Sequence, residues 1–305
     1  MKTIRSLGSI KNRKIVLALG NFDGVHLGHK KVIDEAAGHA KRNSAVCVVM
    51  TFDPHPRTVI YGQKDLKLLT TIYERHELIN DLGADYLWIM CFNSRMRGLS
   101  ASGFVNKYFN SACVIKVVVG FDFAFGKGRG ASAQDLEKIG HKRGFSVSVV
   151  KHRSFKGRII KSSLIRELIS SGKFSEAVGL LGHAYPVSGK VIKGRGMGKK
   201  LGYPTANIKT SMEKLLPPYG VYAGACMIKN KKYRAAVNIG NRPTFGKGFA
   251  SIEAHVIGFK GSLLGKELTV WLGKRIRQEK YFDNISGLKK AIKADIKIAS
   301  KISLC

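Results

Sequence analysis

The chain has 305 residues, of which 44% are hydrophobic, and these values are typical of a globular protein with one large domain or two ordinary ones. No apolar run approaches the ~20 residues that a membrane-spanning helix needs. The 53 Lys and Arg residues outnumber the 20 Asp and Glu residues, which gives a net charge of +33. Because the basic residues are scattered along the chain, the charge is compatible with nucleic-acid binding, with anionic substrates and with a lysine-rich composition.

The cysteines and the start of the chain bear on its compartment. The cysteines are odd in number and widely spaced, and they are Cys47, Cys91, Cys113, Cys226 and Cys305. This pattern predicts neither a disulfide framework nor a zinc site, so we expect small buried thiols in a reducing compartment. The basic start precedes only a short apolar run at 15–19, without a small-residue cleavage site. We interpret that run as a strand and expect a cytoplasmic protein with no membrane partner.

Over the first 150 residues, apolar β-branched runs alternate with helical patterns. The runs lie at 15–19, 45–52, 86–92, 114–120 and 145–150, and the helical patterns lie at 28–43, 71–83 and 132–144. Thr71 and Glu74 predict a capping box, Gly83 a helix end and Ser132 a helix cap. This alternation predicts a doubly wound parallel sheet, which binds ligands at the carboxyl ends of its strands.

The pattern changes near Tyr185. Two helical stretches, 162–172 and 174–182, precede short strand-like runs at 185–192, 220–228, 232–240, 251–259 and 267–276. Regularly spaced short strands with glycine-rich breaks predict an antiparallel barrel or sandwich. A terminal helix over 286–302 carries Leu288, Ile292 and Ile296 at four-residue spacing, which indicates packing onto a core. We therefore predict an α/β domain over 1–183 and a β domain with a terminal helix over 184–305.

The string GNFDGVHLGHK at 20–30 is the first candidate site. It follows an apolar strand and opens a helix, where open backbone N–H groups and the helix dipole favour an anion. His26 and His29 are three residues apart, so both rings project to one side of the first turn and can donate hydrogen bonds to phosphate. A zinc site would need further ligands that no neighbouring residue supplies, and a purely structural pair of histidines is the other alternative.

The string resembles the G-x-x-H-x-G-H class of nucleotidyltransferases. In full it is similar to the adenylyltransferase module of the bacterial bifunctional riboflavin kinase/FAD synthetase family, as are TFDPHP (51–56), GFDFAFGKGRG (120–130) and KSSLIR (161–166). The resemblance implies that FMN and ATP give FAD and pyrophosphate, with His26 and His29 as catalytic residues. It also implies a set of nucleotide-binding residues: Gly20, Asn21, Phe22, Asp23, Asp122, Ser162, Ser163 and Arg166. Lys161 and Ser163 replace the family's Ser and Thr, so the roles of the two serine hydroxyls stay open.

The string GRGMGKKLGYPTANI at 194–208 is the second candidate site. Its glycines predict a mobile loop that can lie against phosphates, although it matches neither a Walker A motif nor a dinucleotide-binding motif. Thr205 and Asn207 offer hard oxygen ligands that suit the Mg²⁺ carried by ATP. A flexible surface loop is the alternative.

This second string looks like the riboflavin kinase signature G-x-x-x-G-F-P-T-A-N, with Tyr203 in place of Phe. Later segments follow the family's order: YGVYAG (219–224), NIGNRPTFG (238–246), IEAHVIGF (252–259) and KRIRQEKYFDN (274–284). The resemblance implies that riboflavin and ATP give FMN and ADP. It further implies residue roles: nucleotide binding by Gly194, Gly196, Lys199 and Thr205, metal binding by Thr205 and Asn207, a general base at Glu253, and flavin binding by Arg277 and Glu279.

These last residues have ordinary alternatives. Glu253 alternates with Ile252 and Ala254 in a strand, so it faces the side opposite to theirs and is otherwise an exposed strand carboxylate. Arg277 and Glu279 could form a surface ion pair.

The sequence thus predicts a flavin-cofactor enzyme whose partners are ATP, riboflavin and FMN, with FMN and FAD as substrate or product and not as prosthetic groups. Two alternatives stay open. One is a single-activity transferase with one decayed domain, and the other is a basic RNA-binding or regulatory protein on the same fold, which would need aromatic stacking platforms on a basic face. The oligomeric state is not predictable from the sequence.

Overall fold

The structure is a computed structural model that describes residues 1–63, 65–110, 112–155, 157–241 and 250–301. The chain forms two compact units. The first comprises Met1–Leu66 and Arg75–Lys161, and the second comprises Lys67–Glu74 and Ser162–Cys305. Two segments that lie before the predicted boundary at 183/184 therefore pack with the second unit. None of the helices among the residues just given could cross a membrane.

The first unit is built on a six-stranded parallel sheet. The strands described in this unit are β1 Lys2–Ile4, β2 Lys14–Leu19, β3 Val46–Phe52, β4 Tyr86–Met90, β5 Cys113–Gly120, β6 Ala124–Phe125, β7 Ala131–Ser132, β8 Ser146–Val150, β9 Ser154–Phe155 and β10 Arg158–Ile159. The sheet order is β1-β4-β3-β2-β5-β8, and the remaining strands form two short antiparallel ribbons. The five predicted runs are confirmed as strands. The edge strand β1 was missed, since three residues with two exposed side chains make no apolar run.

Helices cover this sheet. They are α1 Leu27–Arg42, α2 Pro56–Tyr61, α3 Ile72–Asn80, α4 Ser94–Arg97, α5 Ala101–Phe109 and α6 Ala133–Arg143. The capping box predicted for α3 is confirmed, because Glu74 N donates to Thr71 Oγ1 and Thr71 N donates to Glu74 Oε2. Ser132 caps α6 as predicted. The side chains of β2 and β3 are almost entirely buried, which explains why these strands are continuous apolar runs.

The order of the strands locates a crevice. From β2 the chain adds β3 and β4 on one side and β5 and β8 on the other. In doubly wound sheets, ligands bind outside the carboxyl ends of the strands at this reversal. The segments that follow β2 and β5 begin at Gly20 and Phe121, so the first candidate site lies at the predicted edge.

The burial of the cysteine thiols agrees only partly with the prediction. Burial raises the pKa of Cys47 to about 12 and that of Cys226 to about 11, as expected for inert buried thiols. Cys91 and Cys113 are exposed, so the prediction of burial is wrong for them. Cys91 directly follows the last residue of β4 and Cys113 is the first residue of β5, where side chains at the ends of strands meet solvent. Cys305 lies outside the described residues.

The second unit contains a closed antiparallel barrel. Its strands are β11 Tyr185–Ile192, β12 Ala206–Lys209, β13 Gly220–Ile228, β14 Lys231–Asn241, β15 Ala250–Val256 and β16 Glu267–Gln278, and its helices are α7 Ser162–Ser170, α8 Phe174–Leu181, α9 Met197–Lys200 and α10 Ile285–Lys301. The barrel order is β11-β12-β15-β14-β13-β16. The predicted β class and terminal helix are confirmed. Ala299 and Ile296 of α10 pack against Ala223 and Ala236 of the barrel.

A buried ion pair holds the Lys67–Glu74 segment in this unit. Lys214 Nζ donates to Glu74 Oε2 at 2.8 Å and to Leu69 O at 2.6 Å, and it lies 4.0 Å from the centre of the Tyr185 ring. Glu74 Oε1 accepts the backbone N–H and the hydroxyl of Ser188 at 2.8 and 2.9 Å. Both charged side chains are 0% exposed, so each one depends on these partners.

Candidate functional site

His26 is the N-cap of α1. Its Nδ1 accepts the backbone N–H groups of Gly28 and His29, each at 3.2 Å. An accepting nitrogen carries no proton, so the neutral ring must be protonated on Nε2. The expectation that the amides at this helix start are open to an anion is therefore wrong for these two amides, because the histidine side chain already satisfies them.

The His29 ring stacks on the His26 ring. The ring centroids are 3.5 Å apart with an interplanar angle of 15°, and Phe22 contacts His29 edge-on at 5.3 Å. The expectation that both imidazoles project to one side is confirmed. His29 is half-buried as a residue, and its Nδ1 is fully buried and has no hydrogen-bond partner among the described residues. Burial, followed by electrostatic interactions with His26 and Arg75, holds the pKa of His29 well below 6.5, so the ring is neutral near pH 7.

The loop that leads to these histidines has an unusual backbone. Phe22, Gly24 and Val25 have φ values of +49°, +85° and +37°. A β-branched residue such as Val25 is rare at positive φ, and such residues concentrate at functional sites. A Cβ at Gly20 would lie 2.9 Å from the Phe22 ring, so only glycine fits there without a shift of that ring.

Buried polar contacts hold the same loop. Asp23 and Arg75 are each 1% exposed and form an ion pair with 3.5 Å between Oδ1 and Nη2. Arg75 Nη1 also donates to Thr51 Oγ1 at 2.8 Å, and Thr51 Oγ1 donates to Asn21 O at 2.7 Å. Asp23 therefore faces an arginine in the interior. Sequence reasoning missed Arg75, since a charged residue within a helical pattern normally predicts a solvent-facing side chain.

Asp122 is exposed and lies just after β5. The preceding Phe121 is 39% exposed, its ring centroid lies 4.9 Å from that of His152, and Lys161 Nζ lies 5.7 Å from its centre. No cluster of His, Cys, Asp and Glu residues that could hold a metal occurs in the part of the chain that the structure describes. The zinc alternative for the histidine motif therefore finds no support there.

Three predicted phosphate-binding residues lie in the second unit. Ser162 and Ser163 open α7, and Arg166 on the same helix donates from Nε to Lys67 O at 3.0 Å. Their role in holding ATP stays a prediction.

In the second unit, Thr205, Asn207 and Glu253 lie together. Thr205 Oγ1 donates to Glu253 Oε2 at 3.3 Å, and Asn207 of β12 is the direct partner of Glu253 of β15. Ile252 and Ala254 are 2% and 1% exposed and Glu253 is half-buried, as the predicted alternation requires. The β12 strand itself was not predicted.

Glycines bring the backbone of the 194–202 loop close to these side chains. A Cβ at Gly194 would lie 2.2 Å from Asn207 Nδ2, and a Cβ at Gly198 would lie 3.1 Å from Thr205 Oγ1. Part of the loop is the short helix α9, which has Gly196 as its cap and carries the exposed Lys199. The close approach of the loop to Asn207 and Thr205 was not predicted, and the role of the loop in phosphate binding stays a prediction.

Arg277 forms an ion pair with the terminal helix α10. Its Nε and Nη2 donate to the Asp295 carboxylate of α10 at 3.0 and 2.8 Å, and Asp295 is 5% exposed. The alternative of a surface ion pair with Glu279 is wrong for Arg277, because Asp295 is its carboxylate partner. Glu279 is exposed, and its Oε1 would lie 2.2 Å from a Cβ at Gly240.

The barrel register aligns the predicted residues in one row. Across β12, β15, β14, β13 and β16 the direct partners are, in order, Asn207, Glu253, Asn238, Val221 and Arg277. Directly paired residues share a face of the sheet, so Asn207, Glu253 and Arg277 lie on one face. Sequence reasoning quoted the motif NIGNRPTFG but did not identify Asn238 within it as a member of this row. Residues 242–246 of the motif lie outside the described residues.

Comparisons with known proteins agree for both units. The protein-family model for FAD synthetase matches residues 9–164, and the one for riboflavin kinase matches residues 181–303. A Buchnera aphidicola protein named bifunctional riboflavin kinase/FMN adenylyltransferase is 35% identical over 310 residues, covering 99% of this chain and 98% of that protein. A Bacillus subtilis protein of the same name is 36% identical, covering 92% and 90%.

A solved structure shares the whole fold. It is titled a macrolide-efflux protein from Streptococcus pneumoniae, and it matches with a TM-score of 0.86 and 29% identity over 99% of both chains. The motif resemblance and the predicted fold class are thus confirmed, and the chain belongs to the bifunctional riboflavin kinase/FMN adenylyltransferase family.

Proposed function

We propose that the two activities of this family are divided between the units: the first transfers AMP from ATP to FMN, and the second transfers the γ-phosphoryl group of ATP to riboflavin. The observation that carries this assignment is that each unit holds its own polar cluster. The stacked His26 and His29 lie at the switch point of the first unit, and Thr205, Asn207 and Glu253 lie on one barrel face of the second. Residues 1–183 and 184–305 remain our proposed domain limits.

In the first unit the histidines would act on the ATP phosphates. The cap bond of His26 sets its tautomer, so Nε2–H is the hydrogen-bond donor of its neutral ring. His29 enters the reaction neutral, and the negative charge of bound ATP would raise its pKa. Both rings would stabilise charge that develops as the FMN phosphate attacks the α-phosphorus, a reaction that depends mainly on positioning and electrostatics. The proposed nucleotide-binding residues of this unit are Gly20, Asn21, Phe22, Asp23 and Asp122. For Ser162, Ser163 and Arg166 of the second unit, the same role is what the family resemblance implies.

In the second unit Glu253 is the proposed general base. Its carboxylate would take the proton of the ribityl 5′-hydroxyl as that oxygen attacks the γ-phosphorus. Thr205 Oγ1 holds the carboxylate from one side at 3.3 Å. Arg277 lies on the same face as Glu253 and is the proposed flavin-binding residue, with Glu279 nearby in sequence; its hydrogen bonds to Asp295 would hold its guanidinium in position for that contact. Gly194, Gly196 and Lys199 belong to the proposed phosphate-binding loop.

Thr205 and Asn207 fit the Mg²⁺ of Mg-ATP. Both supply hard side-chain oxygens, and the backbone at Gly194 passes so close to Asn207 that a Cβ would fill the space between them. Mg²⁺ commonly has few protein ligands and completes its shell with water and substrate phosphates, so two groups are sufficient. When bound it neutralises charge on the β- and γ-phosphates.

The substrates are small molecules: ATP, riboflavin and FMN, with FMN and FAD as substrate and product. A cytoplasmic location and the absence of nucleic-acid and membrane partners remain predictions.

The test is to incubate the protein with riboflavin, ATP and Mg²⁺ and to separate FMN and FAD by chromatography. We expect both products. His29→Ala should abolish FAD while FMN still accumulates, and Asn207→Ala should abolish FMN while FAD still forms from supplied FMN. A wild-type protein that makes one product only would indicate the single-activity alternative. RNA binding without flavin turnover would indicate the regulatory alternative.

A further inference from the structure

We propose that Arg75, which lies outside every motif that identified the site, is a positioning residue for FMN adenylylation, because it holds the loop at 21–26 in shape from the interior. This inference rests on the proposed function of the first unit. Arg75 lies on α3 and acts through other residues, so it need not touch substrate.

Two contacts of the guanidinium reach different points of the loop. Nη1 donates to Thr51 Oγ1 at 2.8 Å, and that hydroxyl donates to Asn21 O at 2.7 Å, at the start of the loop. Nη2 lies 3.5 Å from Asp23 Oδ1, in the middle of the loop. Arg75, Asp23 and Thr51 are 1%, 1% and 0% exposed, so water does not replace these contacts. A planar fork can hold both points at once, whereas a lysine offers one point charge.

The loop needs such support because of its backbone. Phe22, Gly24 and Val25 all have positive φ, and conformations of this kind persist where surrounding contacts determine them. The loop ends at His26, whose Nδ1 must meet two amides of α1 and whose ring must stack on His29. A shift of the loop would therefore move both imidazoles.

The charge of Arg75 gives a readout that a purely structural role would not change. Two neighbours add to the effect of burial in lowering the pKa of His29: His26, in the same turn, and the permanently charged Arg75, from α3. Asp23 is the counter-charge of Arg75. Removing the guanidinium should therefore raise the pKa of His29 towards 6.5.

The experiment compares three variants of the full chain: Arg75→Met, Arg75→Lys and, as an exposed control in the same unit, Lys138→Met, whose side chain is 77% exposed. We expect Arg75→Met to lower kcat/KM for FAD formation by about 10- to 100-fold, the size of effect that small misplacements produce. Riboflavin phosphorylation by the same protein should stay within about twofold, because the loop does not serve it. Arg75→Lys should restore part of the lost rate, and Lys138→Met should leave both rates unchanged. NMR titration of labelled histidines should show a raised pKa for His29 in Arg75→Met.

The outcomes separate the inference from the proposed function. If Arg75→Met removes the counter-charge of Asp23 and unfolds the chain, Arg75→Lys decides, because lysine keeps the positive charge but offers one donor group in place of a planar fork. In that variant kcat/KM for FAD formation should still fall while riboflavin phosphorylation is unchanged. Unchanged FAD formation in the folded variant, an equal fall in both activities, or an unchanged His29 titration would overturn the inference. If His29→Ala abolishes FAD formation and Arg75→Met does not, the function stands and Arg75 has no positioning role. If the wild-type protein makes no FAD, the function itself fails.

Discussion

Replacing Glu74 with Gln tests the buried ion pair of the second unit. The variant keeps the size of the side chain but leaves Lys214, which is 0% exposed, without its counter-charge. Removing one partner of a buried pair typically costs about 3–5 kcal/mol, which is a large fraction of the total stability of about 5–15 kcal/mol for a domain. With a urea slope of about 2 kcal/mol per M, the unfolding midpoint should fall by roughly 1.5–2.5 M.

Urea unfolding of the second unit, followed by loss of riboflavin kinase activity and by circular dichroism, measures this change. Glu213→Gln makes the same substitution beside Lys214 at an exposed position, and it should change the stability by less than about 0.5 kcal/mol. The double variant Glu74→Gln/Lys214→Met removes both charges and should recover much of the loss. If Glu74→Gln unfolds at the same urea concentration as Glu213→Gln, the pair does not stabilise the unit and the reasoning fails.

Two further predictions address the candidate sites. Gly194→Ala places a methyl group 2.2 Å from Asn207 Nδ2, so FMN formation should fall by at least about 10-fold while FAD formation from supplied FMN persists. The control is Gly179→Ala, whose Cβ meets nothing within 4 Å and which should preserve both activities. The pKa of His29 lies well below 6.5 in the folded protein, so below about pH 6.5 protons bind preferentially to the unfolded chain and the first unit loses up to about 1.4 kcal/mol per pH unit. The urea midpoint should fall less between about pH 7.5 and about pH 5.5 in His29→Gln than in the wild type. An equal fall in both proteins would contradict the lowered pKa of His29.

The elements that could be predicted from the sequence are those with strong local patterns. The strands β2 to β5 are buried on both faces and therefore appear as apolar runs, and glycine and capping residues mark the ends of α3 and α6. The short strands β1 and β12 bury too few side chains to produce such a run. The closure of the barrel depends on register between distant strands, which no local pattern contains.

The site was predictable where its residues are close in sequence. The spacing of His26 and His29 was sufficient to bring their rings together, but the use of the His26 side chain as a helix cap depends on the exact start of α1 at Leu27. Arg75 was not predictable, because its partner Asp23 is 52 residues away. Asp295 carried a signal that sequence reasoning did not use, since it is the one acidic residue in the lysine-rich sequence of α10.

The Lys67–Glu74 segment has a consequence for synthesis of the chain. Glu74 leaves the ribosome 140 residues before Lys214, which corresponds to about 7–28 s at about 5–20 residues per second. During that interval the carboxylate of Glu74, which is fully buried in the folded chain, lacks its partner Lys214. We therefore expect the first turn of α3 to reach its final contacts only after the barrel strands have been made. A gene that encodes residues 184–305 alone would lack this segment. A protein made of residues 184–305 should therefore fold poorly on its own, and its folding should improve when a peptide that spans Lys67–Glu74 is added.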